Sequence, residues 1–331
     1  MRSTRRSSAS KSSLSAPIVL SALALAFGLG LGSASVAKAQ AWPRDQGHGY
    51  LQLSLTHLAG DRLYGSDFAV LPIASTYAQT LLSFYGEIGL IDRWLTAVVD
   101  AELFRRNVLE GQGSTQGLGD LKVGLFSGIV QEGAFRLSVG AVLGVPTGDD
   151  APTPGESSST GTNGNGNGNG NGDIEGPSVD ADARLIARSL PTGDGEFDLR
   201  FVVATGYALA PREGWPVHHY VSGSVGYWTR TRGFSDAMTY DLEIGSRIDT
   251  TFLERVWWVA RLQGVESFAS AADAQAGFAG LGDGVTYTSL GFKASLRVVD
   301  GVAASVGVDT AIRARSIIAA VPIRAGIAYD W

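Results

Sequence analysis

The sequence predicts an all-β chain: a transmembrane, antiparallel, up-and-down β-barrel of about twelve strands, with fourteen as the alternative. Three observations predict it. Short segments in which apolar and polar residues alternate recur along the chain, while long amphipathic helix patterns are missing. The last stretch, 321–331, keeps a period of two to its end, with Val321, Ile323, Ala325, Ile327, Tyr329 and Trp331 on one face and Pro322, Arg324, Gly326, Ala328 and Asp330 on the other. The chain also starts with an export signal and contains no Cys, so its stability outside the cytoplasm has to come from something other than disulfides. A closed barrel in lipid supplies that by pairing every backbone group around the ring. A soluble β-protein whose final strand closes a core is the competing reading.

Residues 1–39 read as a secretory signal peptide and 40–331 as the barrel. Arg2, Arg5, Arg6 and Lys11 form a positive start, 17–31 an apolar run, and Ala37-Lys38-Ala39 a small-x-small cleavage site. The apolar run is shorter than the roughly 18 residues of a spanning helix. Removing the signal takes away five of the 26 Lys and Arg and none of the 32 Asp and Glu, so the net charge becomes 21 − 32 = −11. That excludes nucleic acid as a main partner. The 44 Gly suit a chain with many turns.

Residues 40–47 form a short polar lead. In 49–58, Leu51, Leu53 and Leu55 face away from Gln52, Ser54 and Thr56. In 82–90, Leu82, Phe84, Ile88 and Leu90 oppose Ser83, Tyr85 and Glu87. The tight link Ile91-Asp92-Arg93 leads into 94–104, where Leu95, Ala97, Val99 and Ala101 oppose Thr96, Asp100 and Glu102. Strands at 120–129 and 135–145 follow. In the second, Arg136 points inward, because at mid-membrane on the lipid face it would cost about 2–4 kcal/mol. The longest loop is 147–178; its stretch 150–177 is rich in Asn and Gly, with Asn-Gly repeated five times, and reads as disordered. Further strands are expected at 181–189, 197–207, 219–230, 239–247, 256–265, 287–296 and 302–310, before the final one.

This makes thirteen segments, whereas such barrels have an even number with both ends periplasmic. The conflict falls within 179–236. Counting back from Trp331 puts Trp257, Trp258 and Tyr329 at its level, and counting forward from the start puts Trp94 there too, which makes an aromatic girdle at one membrane interface.

The inward faces carry the polar set that bears on function. Asp120, Lys122, Arg136, Arg184, Asp198, Arg200, Asp241, Glu243, Arg247, Arg261, Lys293, Asp309 and Arg324 all sit opposite apolar neighbours. They either pair into a closed lumen or line a water-filled passage. Tyr85, Phe104, Tyr220 and Trp228 are large inward residues that narrow it. His48, His57, His218 and His219 have no metal-ligand spacing, no nucleotide loop is present, and no cofactor is implied. His57 and His219 are the candidate bases if the barrel were instead a hydrolase.

Gly117-Leu118-Gly119-Asp120-Leu121-Lys122-Val123-Gly124-Leu125 resembles the Gly-Leu-Gly-Asp-Leu strand start of an outer-membrane transporter family labelled MetA-pathway of phenol degradation. Val145-Pro146-Thr147-Gly148-Asp149 is similar to its Pro-Thr-Gly-Asp element, and 84–93 to its first periplasmic hairpin. The resemblance implies a porin-like barrel in the outer membrane of a Gram-negative bacterium, passing small, often aromatic or apolar, solutes. The partners expected are the lipid bilayer, a small-molecule solute, and the barrel-assembly machinery through the C-terminal strand. A closed barrel that displays its loops for structural or adhesive purposes is the alternative, and an outer-membrane hydrolase a third.

Overall fold

The computed structural model describes residues 41–150, 190–209, 217–248, 256–269 and 280–331. Its strands are β1 (Gly49–Tyr64), β2 (Val70–Ile91), β3 (Leu95–Leu109), β4 (Gly113–Gly117), β5 (Leu121–Val130), β6 (Phe135–Val145) and β7 (Asp198–Leu209). They continue with β8 (Val217–Arg230), β9 (Ala237–Ile248), β10 (Val256–Ser267), β11 (Thr286–Val299), β12 (Val302–Arg315), β13 (Ile317–Ile318) and β14 (Ile323–Asp330). Twelve of them form a closed antiparallel ring in chain order, from β1 to β14, without β4 and β13. The ring closes where β14 pairs β1, from Tyr50 opposite Asp330 to His57 opposite Ile323. The short β4 pairs the far end of β3, and β13 pairs the far end of β1.

The strand conflict is settled at β6, which pairs directly with β7 from Phe135 opposite Tyr207 to Gly144 opposite Asp198. The ring therefore closes with no strand from 181–189. That segment, the signal 1–39 and the Asn-Gly stretch all lie outside the described residues.

The period of two is what makes the ring a wall with two chemistries. On β1, Leu53 is 44% exposed while Ser54 is 2% exposed; on β7, Phe201 is 52% and Val202 4%. Apolar side chains stand outward around the ring, while the inward face is mainly polar or small with an apolar cluster on one side, as lipid outside and a packed lumen inside require. The wide connections between strands, including 65–69, 146–197, 231–236 and 268–285, share one end, here the loop end. The tight turns at 92–94, 131–134 and 300–301 share the other, here the turn end. Arg93 and Gly133 take left-handed φ of 56° and 70° in those turns.

One local irregularity reverses a face. Between β2 and β3 the register shifts, so that Leu82 faces Phe104 and Ser83 faces Glu102, with Leu103 as the extra residue. Such a bulge flips the parity of everything beyond it. Phe104 is thereby 36% exposed on the outer wall, contrary to the inward expectation, and Arg105 and Asn107 turn into the lumen at 7% and 1%.

Candidate functional site

The lumen is not an open tube. Phe126, Val98, Val142 and Val202 fill one side of it. Gly140 makes room for Phe126, since a Cβ there would sit inside the ring. At the loop end, Tyr77, Leu109, Leu190 and Ile318 form a second buried cluster. At the turn end the lead is inside rather than in solvent. Ala41 and Pro43 are buried, and Trp42 packs against the inward Gly206 and meets Tyr220 edge-on, with ring centroids 5.6 Å apart. Arg44 anchors this segment: its Nε donates to the fully buried Glu87 at 2.7 Å, its Nη1 pairs with Asp330 at 3.4 Å, and its backbone N donates to Thr96 at 2.8 Å. The expected polar lead is thus a plug whose Trp and Arg are matched to the wall.

Among the described residues the lumen holds two chambers that share no lining residue. The outer one, towards the loop end, has a volume of about 250 Å3 and is walled by Asp100, Glu102, Arg105, Asp120, Lys122, Asp194, Glu196, Asp198, Arg200, Trp228, Arg230, Asp241, Arg261 and Tyr287, among others. The inner one holds about 310 Å3 among Arg44, Tyr50, Tyr220, Trp257, Val259, Lys293, Arg297 and Asp330. Between them lies a layer of ion pairs. Arg261 pairs with Asp241 and, at 3.4 Å, with Glu243; Arg324 pairs with Asp309 at 3.0 Å. Gln263 reaches Asp309 at 3.5 Å.

The loop end of the outer chamber is built by a clasp. Residues 191–194 read Pro-Thr-Gly-Asp, repeating Pro146-Thr147-Gly148-Asp149, and the two copies pack together. Asp149 N donates to Thr192 Oγ1 at 2.9 Å, and Thr192 N returns to Asp149 O at 2.8 Å. Gly148 and Gly193 approach so closely that a Cβ on either would come within 2.8 Å of the other's Cα. Asp120 locks both copies, accepting from Gly148 N at 3.1 Å and Asp194 N at 3.0 Å, while Thr147 Oγ1 donates to Gly119 O at 2.6 Å. Those contacts explain why the Gly-Leu-Gly-Asp-Leu and Pro-Thr-Gly-Asp elements occur together.

Arg230 ties the clasp to the opposite loop. It pairs with Asp194 at 3.4 Å and with Glu196, and its Nη1 donates to Gly282 O at 3.3 Å. Its guanidinium lies 4.6 Å from the centroid of Trp228, as does that of Arg200. Asp194 accepts from Gly282 N at 2.6 Å. Burial pushes the loop carboxyl of Glu196 up to about 7, against the pull of Arg230.

A solved outer membrane channel from Pseudomonas putida F1 shares this architecture at 12% identity and a TM-score of 0.56, over 90% of this chain and 100% of that one. The fold is that of an outer-membrane β-barrel. With its apolar outer wall, it places the chain in the bacterial outer membrane. The KdgM porin aligns over 85% of this chain and 99% of its own at 9% identity and a TM-score of 0.42. The NanC porin aligns over 84% and 98% at 8% and 0.45. No protein-family model and no curated protein matches the chain.

The expected lumen residues divide by level. Asp120, Lys122, Asp198, Arg200, Asp241 and Arg261 line the outer chamber, and Lys293 the inner one. Glu243, Asp309 and Arg324 belong to the ion-pair layer. Arg136 and Arg247 stay at the turn end and line neither chamber. Arg136 bonds Gly133 O and Phe135 O of its own turn, so the turn's free carbonyls hold it, and Arg247 is exposed. Arg184 lies outside the described residues. Of the aromatics, Trp94 is exposed at the turn, Trp258 stacks on Phe292 of the outer wall, and Tyr329 stacks on Trp331 at 5.7 Å. Trp257 is not in the girdle. As the neighbour of Trp258 on one strand it must take the other face, and it lines the inner chamber under Arg297.

Arg105, Asp194, Glu196 and Arg230 were not legible as site residues. The bulge hides Arg105; parity with Trp228 marks Arg230; the repeated Pro-Thr-Gly-Asp marks Asp194. His57 bonds Thr80 at 3.1 Å and His219 bonds Ser246, both at positions that alternation assigns to the outer wall. Ser246 is paired with Trp258 there.

Proposed function

We propose that this barrel is a narrow, passive channel for small solutes with an aromatic or apolar body. The observation that carries the reading is the pair of chambers at successive levels of the lumen, with the Arg261 and Arg324 ion pairs at the level between them. Arg261, Arg324 and their carboxylate partners form the partition, so rotamer changes open it without any backbone pairing being lost. Trp228 and Tyr287 in the outer chamber, and Tyr50, Tyr220 and Trp257 in the inner one, supply apolar surface beside the charges. The loop end then faces the exterior and the plug faces the periplasm. The two motifs joined by the clasp support membership of the MetA-pathway family, and the exposed face of β14 supports recognition by the barrel-assembly machinery. The test is reconstitution of the barrel in planar bilayers: small unitary steps are expected, enlarged in Arg261→Ala. Absence of steps in both proteins refutes the channel.

A second reading, a closed barrel that displays 150–177, is favoured by the clasp, which fixes both stems of that segment. It predicts that deleting 150–177 abolishes binding to a partner surface and leaves permeability unchanged. Hydrolysis is the weaker reading, since His57 and His219 are directed away from both chambers.

A further inference from the structure

The outer chamber carries hydrogen-bond donors that the protein itself leaves unused. Arg105 is 7% exposed, and its Nε and Nη1 have no acceptor. Arg200 Nε and Trp228 Nε1 are likewise buried without one. All three residues line the same cavity. A buried donor without a partner is disfavoured, and here four N–H groups on three residues face one cavity, whereas the other unpartnered buried groups among the described residues are wall hydroxyls and one oxygen each of Glu102 and Glu196.

Nearby charges do not absorb these donors. Asp120 is used by the backbone of Gly148 and Asp194, Asp194 by Gly282 and Arg230, and Asp241 by Arg261. Glu102 pairs with Arg105 through Nη2, which leaves the Nε and Nη1 edge of that guanidinium directed elsewhere. Asp100 and Asp198 face Lys122 and Arg200, so the deep part of the chamber holds two carboxylates against two cations. Each acid has a cation or an amide of its own; Glu102 Oε2 and Glu196 Oε2 also lack a hydrogen bond, yet neither reaches the donors named above.

The two deep donors are on side chains in contact, because the Arg200 guanidinium lies 4.6 Å from the centroid of the Trp228 ring. Both groups carry their N–H in the plane of a flat system. Two unused N–H donors on side chains in contact, facing one cavity, match the two acceptor oxygens of a carboxylate. The lining is mainly charged, and its apolar surface comes from Trp228 itself, Tyr287, Leu81, Val265 and Leu281. The cavity of about 250 Å3 equals roughly eight waters at about 30 Å3 each, the size of a single ring bearing one acid group.

We propose that the outer chamber is a binding site for a small organic carboxylate, its oxygens held by Arg200 Nε–H and Trp228 Nε1–H and its apolar body set against Tyr287. This names the solute class of the channel reading above and builds on it, yet equilibrium binding requires no passage.

The experiment is calorimetric titration of the full barrel in detergent with benzoate, with benzamide as the uncharged isostere and with inorganic phosphate as the anion lacking an apolar body. Benzoate binds saturably; benzamide and phosphate bind at least tenfold more weakly. Trp228→Phe keeps the ring, removes the N–H, and weakens benzoate at least tenfold, while the outer-wall variant Val139→Ala binds as the parent does. Heat-modified gel mobility confirms that each variant is folded. Equal binding of benzoate and benzamide, equal binding of phosphate, or an unchanged Trp228→Phe overturns the proposal. Unitary current from the same preparation without benzoate binding leaves the channel standing and removes this site; binding without current does the reverse.

Discussion

Asp120→Ala tests the clasp at its centre. The carboxylate accepts one N–H from each copy of the Pro-Thr-Gly-Asp element, Gly148 at 3.1 Å and Asp194 at 3.0 Å. A hydrogen bond to a charged acceptor contributes about 1.5–3 kcal/mol. Asp120 is half-buried and the two bonds share one carboxylate, so about 2–4 kcal/mol for the pair is the working figure. At 1.4 kcal/mol per factor of ten, amide exchange at Gly148 and Asp194 accelerates roughly 30- to 700-fold. Gly148 shows the larger change, because Asp194 keeps its contacts to Gly282 and Arg230. Hydrogen exchange read by NMR in micelles measures it. The ring amides of β6 and β7 serve as the internal control, since their pairing does not pass through Asp120. Unchanged exchange at both amides refutes the clasp as a structural unit.

Other consequences follow from the same contacts. Gly140→Val drives a side chain into Phe126 and costs about 1–3 kcal/mol, read as a lower urea midpoint for folding into lipid vesicles. Trp42→Ala removes the ring that meets Tyr220 and Gly206, and raises unitary conductance with no loss of barrel stability beyond about 1–2 kcal/mol. Glu196 holds its proton up to about pH 7 when folded, above its ordinary range, so its protonated form favours the folded loop end. That contribution is fully present below about pH 4.5 and is lost as pH rises through about 7. Melting followed from pH 5 to 8 should show a decline that Glu196→Gln flattens.

The wall was legible because alternation is a local signal. Leu53 beside Ser54, or Leu55 beside Thr56, states its own facing with no knowledge of the rest of the ring. Strand count was harder, because an alternating segment such as 181–189 looks the same whether or not it joins the ring; the direct pairing of β6 with β7 settles that only in three dimensions. Parity also fails silently at a bulge. Nothing local at Leu103 announces the extra residue, so unbroken alternation places Phe104 inward and Arg105 outward. At Trp257 and Trp258 the alternation itself is informative: both lie at one level, but as neighbours on one strand they take opposite faces. The plug and the clasp depend on contacts between distant segments. Arg44 reaches Glu87 and Asp330, and Asp149 reaches Thr192, and in each case only folding brings the partners together. For the clasp one clue was present, the repeated Pro-Thr-Gly-Asp at 146–149 and 191–194.

The central claim is that solutes cross this barrel through two chambers parted by a layer of side-chain ion pairs. Single-channel recording of the parent and of Arg324→Ala tests it most directly. Arg324 pairs with Asp309 in that layer and lines neither chamber wall. Small steps in the parent and larger ones in Arg324→Ala are predicted. Steps of equal size in the two proteins, or none in either, would contradict the account.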